Sequence, residues 1–273
     1  MHKLRTLSAS AAIAIAASGA NAFDLYADLY GSGADYDYNN EDFEGYGLDV
    51  AAQFDGRFLW IEQLSLRKIY LENQDDDGVD IKNEQISVHF GLPFESIDAA
   101  VFLGYLADNG YDGDSEDEYY FGGIDSVVFR GERLKLSTRL GVTQHVEGVY
   151  PSEGSSEVGF FHLFADLQVT DKIDLSGSVG GFRSFGDFGD STGESLSTNI
   201  ANIRASYGFS QKIAAFAEYN FQTGGWEDEP DDFETQTVSL GISISLGANA
   251  ASDGAKWKPI SFTPISWVRL DGW

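Results

Sequence analysis

Between Phe233 and Leu246 apolar and polar positions alternate. Val238, Leu240, Ile242, Ile244 and Leu246 share one parity, and Thr237, Ser239, Gly241, Ser243 and Ser245 share the other. This is the period-two signature of a β-strand with one apolar face and one wet face. The wet face is small and uniformly polar, which suits water inside a cylinder whose outside meets lipid. Ten or so residues is also the length of strand that crosses a bilayer when tilted.

The same signature recurs along the chain. It predicts strands over 23–30, 46–54, 57–71, 81–92, 97–107, 119–130, 133–146, 158–169, 172–185, 196–209, 212–222 and 233–246. Outward faces keep one phase within each strand: Leu48, Val50 and Ala52; Ile86, Val88 and Phe90; Ala99, Val101 and Leu103; Phe161, Leu163, Ala165 and Leu167; Ala215, Ala217, Tyr219 and Phe221. Aromatics gather at strand ends, with Phe54, Phe90, Phe94, Phe129, Tyr207 and Phe209 at one end and Tyr46, Tyr105, Tyr119, Tyr120 and Phe221 at the other. Such girdles mark the two membrane interfaces. The segment 57–71 alternates poorly, and a β-bulge is expected there.

The connections alternate too, short then long. The long ones (31–44, 72–80, 108–118, 148–157, 186–194 and 224–234) hold 27 of the 44 acidic residues and no Lys or Arg. Cations sit instead in strands and short turns, as at Arg57, Arg130, Arg133, Lys172 and Lys212. The two ends of a soluble β-sandwich have no reason to differ in this way. An even strand count with short turns at one end and long loops at the other is the plan of a transmembrane antiparallel up-and-down barrel, all-β, with about twelve strands.

Composition sharpens this picture. The formal net charge of −27 argues against nucleic acid as a partner, while 14% aromatic residues and the repeated alternation exclude disorder along most of the chain. There is no cysteine, hence no disulfide, thiolate site or lipid-modified cysteine. Residues 1–22 supply a cationic start (His2, Lys3, Arg5), a short apolar run and Ala20-Asn21-Ala22, the layout of a secretory signal peptide. The expected organisation is therefore a leader at 1–22, a barrel at 23–247 and a tail at 248–273.

Over almost all of 23–247 this pattern resembles bacterial outer-membrane β-barrel proteins of the porin-like kind. The resemblance implies an outer-membrane location, contact with lipid and lipopolysaccharide, a monomer, and a narrow passive channel for small hydrophilic solutes, its external vestibule acidic. Twelve-stranded members also include a phospholipase and a lipid A deacylase, and fold alone transfers none of these functions. Such barrels usually end on an aromatic residue in the last strand, so Trp267–Trp273 is an alternative closing strand, which would displace 23–30. The favoured reading keeps the tail out of the wall, either in the periplasm or folded into the lumen.

Candidate chemistry follows from the inner parity. Hairpin pairing keeps the sum of residue numbers nearly constant, which pairs His89 with Asp98, Asp125 with Arg139 and Arg204 with Glu218. Together with Lys135, His162 and Asp166 these form the candidate pore lining. No serine motif or oxyanion glycine pattern accompanies His145 near the external rim, so a lipid-modifying enzyme is the lesser alternative, and a plugged structural or adhesive barrel the other. No cofactor is expected beyond loosely bound divalent cations. Asn73, Asp75, Asp77 and Glu84 have EF-hand spacing and form a candidate weak Ca²⁺ site, although Asp80 stands where an apolar residue is usual.

Overall fold

The computed structural model describes residues 23–36, 41–54, 61–73, 80–92, 98–109, 116–147, 157–185, 196–226, 233–247 and 255–258. The leader, the Trp267–Trp273 segment and most of the long connections lie outside these residues. Twelve strands form one antiparallel ring: β1 (Phe23–Tyr36), β2 (Glu41–Phe54), β3 (Ile61–Asn73), β4 (Asp80–Gly91), β5 (Asp98–Asn109), β6 (Glu116–Arg130), β7 (Leu134–Glu147), β8 (Glu157–Thr170), β9 (Ile173–Phe185), β10 (Leu196–Gly208), β11 (Ile213–Trp226) and β12 (Phe233–Leu246). Each strand pairs with its sequence neighbours, and β1 pairs with β12 from Leu25↔Leu246 to Tyr36↔Thr235. The ring thus closes on β12, with 23–30 inside β1.

Several strands outrun their predicted bounds at the long-connection end. β1 reaches Tyr36, β2 starts at Glu41 and β11 reaches Trp226. There the ladder continues while the apolar alternation that marks it stops, and the inner face stays packed, with Ala34, Phe43, Gln222 and Thr235 buried. The bulge expected in the third strand lies between Ile61 and Gln63.

Every outward face named from the sequence points outward. Among the described residues, large apolar side chains stand exposed all around the wall, including Leu29, Leu103, Leu140, Phe161, Val179, Ile203 and Leu240. A belt of that extent is far beyond the few hundred Å² of contiguous apolar surface a soluble monomer tolerates. Hydrocarbon is the solvent that makes it stable.

Rather than being hydrated throughout, the interior holds in one half a cluster of Phe102, Leu106, Tyr119, Phe121 and Phe160 with Phe182 against it. Tyr119 belongs here and not to the outer girdle. Glycines on the neighbouring strands make room for the rings: Phe102 faces Gly123, Phe121 faces Gly104 and Phe160 faces Gly141. At Gly123 an added Cβ would meet both the Leu140 carbonyl and the Phe102 ring. The carbonyl belongs to the ladder and cannot yield, so Gly123→Ala is expected to destabilise the barrel by about 1–3 kcal/mol, read from urea unfolding in lipid vesicles.

Candidate functional site

Two ionic networks cross the lumen near the middle of the strands. The first is built on β6 and β7, where Asp125 and Arg139 lie directly opposite each other. Arg139 donates through Nε to Asp125 Oδ1 (2.7 Å) and through Nη2 to Oδ2 (2.8 Å), a bidentate fork. His89 Nε2 hydrogen-bonds the same Oδ2 at 3.0 Å. The guanidinium also lies 5.4 Å from the Phe102 ring centroid and 5.2 Å from that of Phe164. All three polar residues are almost wholly buried.

His89 does not pair with Asp98. Its cross-strand neighbour is Phe102, because the β4–β5 hairpin is closed by Leu92 N donating to Ala99 O, a wider connection than the tight turn at Pro93. The slip is two residues per strand, which changes the partner and leaves the face unchanged. Asp98 sits at the strand end, bonded to Arg130 (2.9 Å) and Lys256 (2.6 Å).

The second network centres on Arg204. It faces Glu218 across the β10–β11 ladder, yet that contact is 3.7 Å, whereas Nη1 reaches Asp28 Oδ2 at 2.7 Å and Nη2 reaches Ser243 Oγ at 2.7 Å. Its guanidinium stacks on Phe216 at 3.6 Å. Glu218 accepts instead from Asn202 Nδ2 at 2.8 Å. Asp28 and Asp49 are directly opposed on β1 and β2, a repulsive pair. Each is met by a cation, Asp28 by Arg204 of the non-adjacent strand β10 and Asp49 by Arg67 of the adjacent β3 at 3.6 Å.

Pairing across tight hairpins could not find Asp28, since Arg204 lies 176 residues away, whereas Asp49 and Arg67 face each other across the β2–β3 hairpin and were overlooked. A signal existed for Asp49, which stands on the inner parity between outward Leu48 and Val50.

A cavity of about 670 Å³ separates the two networks and opens toward the short-turn end. Lys135, Arg139, His162, Asp166, Arg204 and Glu218 line it, whereas His89, Asp98 and Asp125 do not. Ser176, Ser178, Ser243 and Ser245 supply a small polar wall from β9 and β12. At its mouth lie Arg130, Arg133 and part of the tail, Ala255, Lys256 and Lys258.

Solved structures share this ring. The NanC porin aligns over 80% of this chain and 100% of its own, with TM-score 0.56 and 10% identity. The fold is that of a closed antiparallel β-barrel such as this porin has. An outer membrane channel from Pseudomonas putida F1 covers 84% of this chain and 97% of its own, with TM-score 0.50 and 9% identity. No protein-family model matches the sequence, and no curated protein matches it. At such identities the likeness is one of fold, so the lumen of this barrel has to be read from its own residues.

The EF-hand spacing does not form a cage among the described residues. Glu84 lies on the outer wall, paired with Lys68, and Asp75 and Asp77 fall outside the described segments. A strand holds Glu84 in the ladder, whereas the Ca²⁺ loop needs its twelfth residue folded back onto the ion.

Proposed function

We propose that this barrel is a narrow passive channel for small hydrophilic solutes, with its short turns in the periplasm and its long acidic connections outside. The observation that carries the reading is the charged cavity, which runs from the short-turn mouth to the mid-strand ring of Asp28, Asp49, Arg67, Arg204 and Glu218. Three carboxylates against two guanidiniums give that ring a cation preference. The acidic external connections reinforce it within a screening length. They also hold divalent cations loosely against the anionic lipopolysaccharide. No catalytic step enters this reading.

Planar-bilayer recording tests it, with small, cation-favouring steps as the expected result. Arg204→Ala removes one of the two ring cations and is expected to strengthen cation preference, seen as a shift in reversal potential across a salt gradient. Silence in every salt, or an unshifted reversal potential in the variant, speaks against the channel. A second reading, a plugged structural barrel, is favoured by the packing of half the lumen with aromatic side chains and Trp257. Complete silence of the folded protein is what it predicts.

A further inference from the structure

The tail residues that enter the short-turn mouth are held more closely than a linker requires. Trp257 is 2% exposed. Gln63 grips its main chain from both sides, with Nε2 donating to Trp257 O (2.7 Å) and Oε1 accepting from Trp257 N (2.9 Å). The indole Nε1 donates to Glu62 Oε2 at 3.1 Å, and its ring lies parallel to the His89 imidazole with centroids 6.1 Å apart. Lys256 Nζ bonds Glu62 (3.0 Å) and Asp98 (2.6 Å), and Lys258 Nζ bonds Asp166 (3.0 Å). The flanking carbonyls are taken as well, Lys256 O by Lys135 (3.0 Å) and Lys258 O by Arg139 (2.8 Å).

The wall is shaped for this contact. Strict alternation would turn Glu62 toward lipid, where a carboxylate is costly. The bulge between Ile61 and Gln63 instead brings both Glu62 and Gln63 to the lumen, which is what a bulge does to a side chain next to a site. Three carboxylates of the barrel (Glu62, Asp98 and Asp166) answer the two tail lysines, one amide reads the backbone, and His89 floors the indole.

We propose that Glu62, Gln63, Asp98 and Asp166 form a binding site for a basic-aromatic Lys-Trp-Lys peptide, filled in cis by residues 256–258, which stopper the short-turn mouth. The peptide site stands on its own geometry; the stopper role rests on the channel reading. A tethered ligand meets its site at an effective concentration on the order of millimolar, so modest intrinsic affinity keeps it seated while leaving it displaceable.

Two measurements test this separately. The Lys256–Trp257 bond is a trypsin site, and in the folded wild-type barrel it should resist cleavage, while Gln63→Ala and Glu62→Gln open it, read by intact mass as loss of residues 257–273. Unchanged heat-modifiable migration on gels shows that the variants are folded. Equal cleavage rates in wild type and both variants overturn the site. In bilayers, Trp257→Ala should raise conductance severalfold, and a synthetic peptide spanning residues 252–262 added on the short-turn side should reverse the rise. The same peptide carrying Trp257→Ala should not. Conductance that does not change in Trp257→Ala overturns the stopper. If no variant conducts, the channel reading falls, and the cleavage result still decides the peptide site.

Discussion

Replacing Arg139 with methionine is expected to cost the folded barrel about 3–5 kcal/mol, the usual consequence of removing one partner of a buried ion pair. The Asp125 side chain is 3% exposed and that of Arg139 2%, so no bulk water replaces the lost fork. Methionine keeps much of the volume and the contact with Phe102 and Phe164, so the loss reports the stranded carboxylate more than a cavity. His89 remains hydrogen-bonded to Asp125. The pair Asp125→Asn with Arg139→Met should recover most of the loss, because a neutral amide is far cheaper to leave half-satisfied. Urea titration of protein refolded into vesicles measures both. A loss below about 1 kcal/mol in the single variant, the size of a surface ion pair, would mean that Asp125 is hydrated and that the network is not buried as drawn.

How much of this was legible without coordinates is a question of range. Alternation is local, so the outward faces from Leu48 to Leu246 named above followed from parity, and with them the ring, the strand count and the bulge in the third strand. Partner assignment needs the length of each turn. It succeeded at Gly131 and Ser210, where the connections are tight, and it failed for His89, where a wider closure at Leu92 and Ala99 moves the partner by four residues, from Asp98 to Phe102, and no face at all. Contacts that cross the lumen were beyond local reasoning: Arg204 with Asp28, and His89 with Asp125, join strands that are not hairpin neighbours. The aromatic half of the lumen was hidden for a related reason. Phe102, Phe121 and Phe160 lie on the parity assigned to water, and only the glycines facing them reveal that the space is filled. Glu62 is the remaining case, since a bulge resets parity and only three-dimensional register shows where it falls.

The second large effect belongs to the outer wall. Leu240 lies near the middle of β12, opposite Gly31 on one side and Ala217 on the other, and is 63% exposed. Leu240→Arg places a guanidinium against hydrocarbon, flanked by a glycine and an alanine too small to shelter it, and is expected to destabilise the barrel by about 2–4 kcal/mol. One residue earlier the chain faces the lumen, where the Ser239 hydroxyl pairs with that of Ser32 at 2.8 Å. Ser239→Ala loses that single neutral bond and is expected to cost about 0.5–1.5 kcal/mol. The contrast between adjacent positions is a test of solvent. In water, an exposed leucine replaced by arginine is neutral or helps solubility, so the order of the two effects reverses. Urea unfolding of both variants in vesicles of ordinary thickness reads the difference directly, and bilayers with shorter acyl chains should shrink the Leu240→Arg loss as the guanidinium comes within reach of the headgroups. A Leu240→Arg protein as stable as wild type in every bilayer would remove lipid from that face, and with it the belt on which the membrane-spanning reading depends.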